Sequence, residues 1–127
     1  MDPGNRDVKL ELGRAYIELS RYPNAIEIFQ SVVKSEPGNA EAFFQLGKAF
    51  GGSGKIDESI RAYLKCLELD PKIADAYYNL GLVYMEKEDT PAAIYYFKKY
   101  LSVQHKPEDA KKVESARENI VKLGGTP

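Results

Sequence analysis

Apolar side chains recur with helical spacing along the chain, in short segments separated by turn residues. Leu12, Tyr16 and Leu19, for example, fall at i, i+4 and i+7, on one face of an α-helix. The breaks are short and rich in turn-forming residues, at residues 20–23, 51–54 and 88–91. The pattern predicts paired helices at about 6–19 and 23–36, 40–52 and 57–69, and 74–87 and 91–104, with a last helix at about 107–123.

The same residue types return at a step of 34 residues. Leu-Gly pairs lie at 12–13, 46–47 and 80–81, small residues at Ala25, Ser59 and Ala93, aromatic rings at Phe29, Tyr63 and Phe97, and prolines at Pro3, Pro37 and Pro71. A glycine inside a helix costs about 1 kcal/mol relative to alanine. Its return at the same place predicts that a neighbouring helix passes too close to leave room for a Cβ atom.

The turn residues also indicate where the second helix of each pair begins. Pro23 and Pro91 suit the first turn of a helix, where a missing N–H is harmless. Thr90 is the predicted N-cap of the helix that contains Pro91, and Asp57 is the predicted cap in the middle copy.

These residues resemble the tetratricopeptide repeat family, whose unit is a helix–turn–helix with Leu-Gly, Tyr, Ala, Phe and Pro at fixed places. The resemblance implies an all-α fold, a right-handed superhelical solenoid of antiparallel helix pairs. It divides a single domain, residues 1–127, into repeats at about 6–39, 40–73 and 74–106 and a capping helix at about 107–123. His105 replaces the proline expected one step after Pro71, so the last segment is not a faithful fourth repeat.

The amino-terminal residues repeat a linker seen later in the chain. Residues 2–5 read Asp-Pro-Gly-Asn, and residues 36–39 read Glu-Pro-Gly-Asn. The match predicts that residues 2–5 are the tail of a preceding repeat and that the chain is a fragment of a longer array. Such an end would expose Val8 and Leu12, so we expect weak self-association through it.

The resemblance also implies where a partner would bind. In this family the first helix of each pair lines a concave groove, the usual ligand face. The corresponding positions predicted here are Leu10, Arg14, Ile17, Phe44, Lys48, Tyr78, Leu82 and Met85. Phe44 and Tyr78 would be rigid anchors, while Arg14 and Lys48 would pair with a carboxylate of a peptide. The alternative is that the apolar members of this set simply pack between successive helices.

Chaperone-binding members of the family grip a terminal carboxylate with lysines, asparagines and an arginine. The corresponding places here hold Leu10, Arg14, Gln45, Asp75 and Asn79. Leu10 has no hydrogen-bond donor in its side chain, and Asp75 would repel a carboxylate. The sequence therefore predicts no chaperone-type clamp.

Composition narrows the class of partner. The net charge is −1, which removes the main driving force for binding nucleic acid or an anionic membrane. No apolar stretch approaches the roughly 20 residues of a membrane span, and no signal peptide is visible at the start. We therefore expect a soluble protein with no nucleic-acid partner and no direct membrane insertion, and cytoplasmic location is favoured.

Several motifs resemble catalytic or ligand sites without the residues that such chemistry needs. Residues 49–55 resemble a phosphate-binding loop, but Ile56 follows where magnesium binding needs Ser or Thr, and the segment joins two helices. His105 is the only histidine, so it cannot complete a His-rich metal site or a Ser-His-Asp triad. Cys66 is predicted to be a core residue. We expect no enzyme activity, no cofactor and no metal.

The sequence therefore favours a protein–protein interaction scaffold that binds a partner peptide or helix in the groove. The alternative is a structural spacer or self-assembly segment of a larger protein.

Overall fold

The computed structural model describes residues 3–103 and 105–127, with side chains from Asn5 onward, and these residues form helices and turns without strands. The helices are α1 (Pro3–Glu18), α2 (Tyr22–Ser35), α3 (Ala40–Gly52), α4 (Ile56–Leu69), α5 (Ala74–Glu86), α6 (Thr90–Ser102) and α7 (Ala110–Lys122), with a 3-10 turn at Pro107–Asp109. The all-α class and the paired helices are confirmed.

The first helix begins earlier than predicted. α1 starts at Pro3, so the backbone of residues 3–5 is helical and does not form the linker that the sequence suggested. Proline is tolerated in the first turn because the N–H that it lacks would have no partner within the helix. The rest of the predicted tail, Asp2, lies outside the described residues.

The helix caps also differ from the prediction. The side chain of Asp89 caps α6 by accepting a hydrogen bond from the backbone N–H of Ala92 at 3.2 Å, and Thr90 is already the first helical residue. Lys55 occupies the N-cap position of α4, and Asp57 lies inside its first turn. The predicted caps at Thr90 and Asp57 are therefore wrong, by one residue at α6 and by two at α4.

The chain divides into two compact units between Pro71 and Lys72. Unit 1 contains α1 to α4, and unit 2 contains α5 to α7. The division lies two residues before the boundary between residues 73 and 74 that was predicted for the second and third repeats.

Each recurring glycine lies directly beneath an aromatic ring of the second helix of its pair. A Cβ added at Gly13 would overlap the Phe29 ring, and one added at Gly47 or Gly81 would lie 2.6 Å from the ring of Tyr63 or Phe97. The close approach predicted from the glycines is confirmed. The face of a buried aromatic ring leaves no room for a Cβ at each of these glycines. The three rings lie 34 residues apart in the sequence, as the three glycines do.

Each unit has its own apolar core. The buried residues of unit 1 that cluster together are Leu10, Ala25, Phe29, Val32, Ala42, Leu46, Ala49 and Ala62. Those of unit 2 are Ala93, Phe97, Tyr100, Ala116 and Ile120. Ala116 and Ile120 belong to α7, so the last helix is part of the core of unit 2.

Candidate functional site

In unit 1 the predicted ligand face centres on Phe44. Its ring packs at 5.7 Å from the ring of Tyr63, which is almost fully buried. The Lys48 ammonium lies 5.8 Å above the centre of the Phe44 ring. The ring is therefore held from below by the core and from above by a cation, an arrangement that favours one orientation.

Arg14 is engaged within the protein. Its guanidinium forms an ion pair with the carboxylate of Glu41, which joins α1 to α3, and both side chains are about half exposed. A carboxylate of a partner would have to compete with Glu41 for Arg14. Ile17 is half-buried against the core of unit 1.

Leu10 does not lie on an accessible surface. It is 8% exposed and belongs to the core of unit 1. Leu10 therefore fits the alternative in which apolar residues of this set pack between helices and do not line a groove. We therefore define the unit-1 face as Arg14, Ile17, Phe44 and Lys48.

In unit 2 the corresponding ring is that of Tyr78. It packs edge-on against Phe97 at 5.7 Å and against Tyr100 at 5.3 Å. The ammonium of Lys112, on α7, lies 5.3 Å over the Tyr78 ring and 3.0 Å from an Oδ1 of Asp75. Both faces thus carry a partly buried aromatic ring with a lysine over it.

The ligand-face residues predicted from the sequence do not include Lys112. Lys112 stands one 34-residue step after Tyr78, just as Tyr78 stands one step after Phe44. The register would have identified it, but the missing proline at His105 suggested that the register had been lost. We define the unit-2 face as Tyr78, Leu82, Met85 and Lys112.

The remaining predicted residues of unit 2 differ in exposure. Leu82 is 40% exposed, which is high for a leucine. Met85 is half-buried against the core of unit 2. Leu82 is therefore the apolar side chain of this face that is most open to a ligand.

Among the clefts formed by the described residues, two open ones lie away from both faces. One, of about 400 Å³, is lined by residues of α7 and the carboxyl end, including Val121 and Pro127. The other, of about 270 Å³, lies in unit 1 and is lined by Phe43, Leu46, Phe50, Glu58, Arg61 and Ala62. Neither contains a residue that the sequence singled out as a ligand contact.

Cys66 lies in the interior, and His105 is hydrogen-bonded to the backbone. Cys66 is fully buried, and burial, with a smaller contribution from the Asp70 carboxylate, raises the pKa of its thiol to about 12. Nε2 of His105 donates a hydrogen bond to the carbonyl of Tyr100 at 2.7 Å. Within residues 3–103 and 105–127, the structure contains no group of three or more His, Cys, Asp or Glu side chains that could hold a metal ion.

None of the helices in the described part of the chain combines the length and the apolar character that a bilayer span requires.

Sequence models of repeat families match most of the chain. Tetratricopeptide repeat models match residues 1–40, 10–50 and 74–107, and a model described as a TPR repeat matches residues 52–88. No curated protein matches the sequence significantly.

Solved structures resemble the fold over nearly the whole chain. The type III secretion translocator chaperone SycD of Yersinia enterocolitica superposes with a TM-score of 0.92 at 15% identity, over 98% of this chain and 86% of that one. SycD in complex with a peptide of the translocator YopD gives a TM-score of 0.91 at 15% identity, over 97% and 95% of the two chains. The TPR2B domain of yeast Sti1 in its pHsp70 complex gives a TM-score of 0.81 at 18% identity, over 92% of this chain and 97% of that one. At these identities the likeness establishes the fold.

Proposed function

The chain belongs to the tetratricopeptide repeat family, and we propose that it is a non-enzymatic scaffold that binds a peptide or helix of a partner protein. The binding surfaces are the unit-1 face and the unit-2 face. The observation that carries the proposal is the shared design of these faces, an anchored aromatic ring beneath a lysine in each unit.

The chemistry of the two faces suits a peptide ligand. Phe44 and Tyr78 are partly buried, so their rings are held in place before a ligand arrives and little side-chain entropy is lost on binding. Rigid aromatic residues of this kind are enriched among the residues that dominate binding energy at interfaces. The exposed Leu82 adds apolar area, and Lys48 offers a charged hydrogen-bond donor.

Complexes of similar structures support the same ligand class. The structure of SycD contains a peptide of YopD, and that of the Sti1 domain is a complex with pHsp70. We infer that this chain also binds a segment of another protein. The residues of the unit-1 face and the unit-2 face would determine which sequence it binds.

We further propose that the ligand is not held by a chaperone-type carboxylate clamp. Of the clamp positions, Leu10 and Gln45 are buried, and the Asp75 carboxylate is engaged with Lys112. These contacts support the proposal, in which the ligand would be recognised mainly by its side chains.

A second candidate function is assembly through α1. Val8 is 62% exposed and Leu12 45%, and they lie one turn apart on α1, while Leu19, just after the end of this helix, is 67% exposed. A row of this kind favours contact with another helix, and weak self-association of the chain would be its simplest result. Sedimentation velocity over a range of concentrations tests this, because a strictly monomeric profile at high concentration would contradict it.

The main proposal is tested by capture from a lysate of the source organism with exposed face residues changed. Lys48→Glu and Leu82→Glu alter one residue on each face at little cost to the core, because both side chains are exposed. Val121→Glu, on the exposed side of α7, is the matched control because it also introduces a carboxylate. A Phe44→Ala, Tyr78→Ala double variant, checked by circular dichroism, removes both rings.

We expect the same protein to be captured by the wild type and by Val121→Glu, and to be lost with the face variants. Equal capture by the wild type and by the folded double variant would overturn the proposal and favour assembly through α1.

A further inference from the structure

The cleft of unit 1 lies between α3 and α4 and has an apolar floor. Phe43, Leu46 and Phe50 of α3 line one side, and Ala62 lies opposite on α4. Glu58 and Arg61 line the same cleft and form an ion pair at 3.7 Å, with the Arg61 side chain largely open to solvent and that of Glu58 41% exposed. None of these residues belongs to the unit-1 face.

The equivalent place in unit 2 is filled by an aromatic ring. One repeat step after Ala62 stands Tyr96, whose ring stacks on Tyr84 at 5.5 Å with the two planes 1° apart. Tyr95 packs edge-on against the same ring at 5.0 Å. The pKa of the Tyr96 phenol is raised, mainly by burial and then by Tyr84, Tyr95 and Tyr77. Tyr77 therefore also lies near this ring.

The residues around Tyr96 are the repeat equivalents of the cleft residues. Tyr77 corresponds to Phe43, Tyr84 to Phe50 and Tyr95 to Arg61. Unit 1 thus keeps two of the aromatic walls but has a methyl group where unit 2 has a phenol. The cleft is the space that the missing phenol leaves.

We propose that this cleft binds a tyrosine side chain of a partner protein, which takes the position that Tyr96 occupies in unit 2. The ring would stack on Phe50 as Tyr96 stacks on Tyr84. The volume suffices, because the cleft measures about 270 Å³ and a dry apolar cavity of about 150 Å³ in another protein holds benzene.

The charges at the cleft favour tyrosine over other aromatic ligands. The Glu58 carboxylate can accept a hydrogen bond from a phenol hydroxyl, and the Arg61 guanidinium can donate one to it. The pair has no net charge, so a neutral hydroxyl complements it, whereas a phosphorylated or carboxylate-bearing ring would face Glu58. A phenylalanine would leave the hydroxyl contacts unused.

The probe for this site is p-cresol, which is the tyrosine side chain without its backbone. Titration into the isotope-labelled protein, followed by two-dimensional NMR, should shift the signals of Leu46, Phe50 and Ala62. A dissociation constant of about millimolar is expected for so small a ligand. Toluene, which lacks the hydroxyl, should bind severalfold more weakly.

Two reciprocal variants give the matched controls. Ala62→Tyr fills the cleft from within and should weaken p-cresol binding at least about tenfold. Tyr96→Ala opens the equivalent space in unit 2 and should create a second p-cresol site there. Because each variant copies a residue that the other unit already carries at this position, both are expected to fold.

The result that supports the proposal is binding at unit 1 in the wild type, loss in Ala62→Tyr and a new site in Tyr96→Ala. No shift at unit 1 up to the solubility limit of p-cresol, or unchanged binding to folded Ala62→Tyr, would overturn it. Equal binding of toluene and p-cresol would overturn the assignment of tyrosine. None of these outcomes depends on the partner of the unit-1 and unit-2 faces.

Discussion

Replacing Gly47 by alanine tests the central packing feature of the repeat. The new Cβ would lie 2.6 Å from Cδ1 and Cε1 of Tyr63 and 2.8 Å from its Cγ. Ordinary carbon–carbon contacts are about 3.5–4.0 Å, so the ring would have to move by about 1 Å. Tyr63 is 3% exposed and packs against Phe44, and it therefore has little room to move.

The expected magnitude is a balance of two effects. Overpacking of a core costs about 1–3 kcal/mol, and three ring atoms at such short distances place this site near the upper end. Alanine in place of glycine within a helix stabilises the folded state by about 1 kcal/mol. We therefore expect Gly47→Ala to lower the free energy of unfolding by about 1–2 kcal/mol.

The assay is denaturant unfolding in two backgrounds. In a Tyr63→Leu background the ring is gone, so Gly47→Ala should become neutral or stabilising by up to about 1 kcal/mol. Gly38→Ala is the control, because Gly38 has no atom within 4 Å of its added Cβ. The reasoning is refuted if Gly47→Ala changes stability by the same amount in both backgrounds.

Three further experiments test other parts of the fold. Asp89→Ala should cost about 1 kcal/mol of unfolding free energy because Asp89 caps α6, whereas Thr90→Ala should cost little; equal losses would contradict the assigned cap. Ser59→Ala should lower the free energy of unfolding by about 1 kcal/mol, because the buried Ser59 hydroxyl donates a 2.7 Å hydrogen bond to a backbone carbonyl. Ser102→Ala removes an exposed hydrogen bond of the same length and should be near neutral. Because its pKa is raised, Cys66 has a smaller thiolate fraction at pH 8 than a free cysteine. Iodoacetamide should therefore label the native protein at least about a hundredfold more slowly than the unfolded protein. Comparable labelling rates would refute this.

The sequence predicted the parts of the fold that depend on repeated apolar positions. α3 lies at the predicted residues 40–52 because its apolar stripe, its preceding turn and its closing glycines all agree. The close contact at Gly47 was also predicted, since glycine inside a helix is unfavourable unless something excludes a side chain.

The differences arise where a single hydrogen bond or side-chain direction decides the outcome. Asp89 and Thr90 are adjacent and both are good caps, so only the backbone geometry selects Asp89. Leu10 and Phe44 share a repeat position, yet Leu10 is buried and Phe44 is only half-buried. The cleft at Ala62 depends on what surrounds a small residue, and a small residue alone does not predict a cavity.

The most direct test of the proposed function is site-specific photo-crosslinking in cells of the source organism. A photoreactive phenylalanine is placed at Leu82 or Lys48, on the two faces, and at Val121 as the control position. The account predicts that one partner protein is crosslinked from both face positions and is absent from the Val121 sample. Crosslinks from Val121 alone, or no protein crosslink from either face, would contradict it.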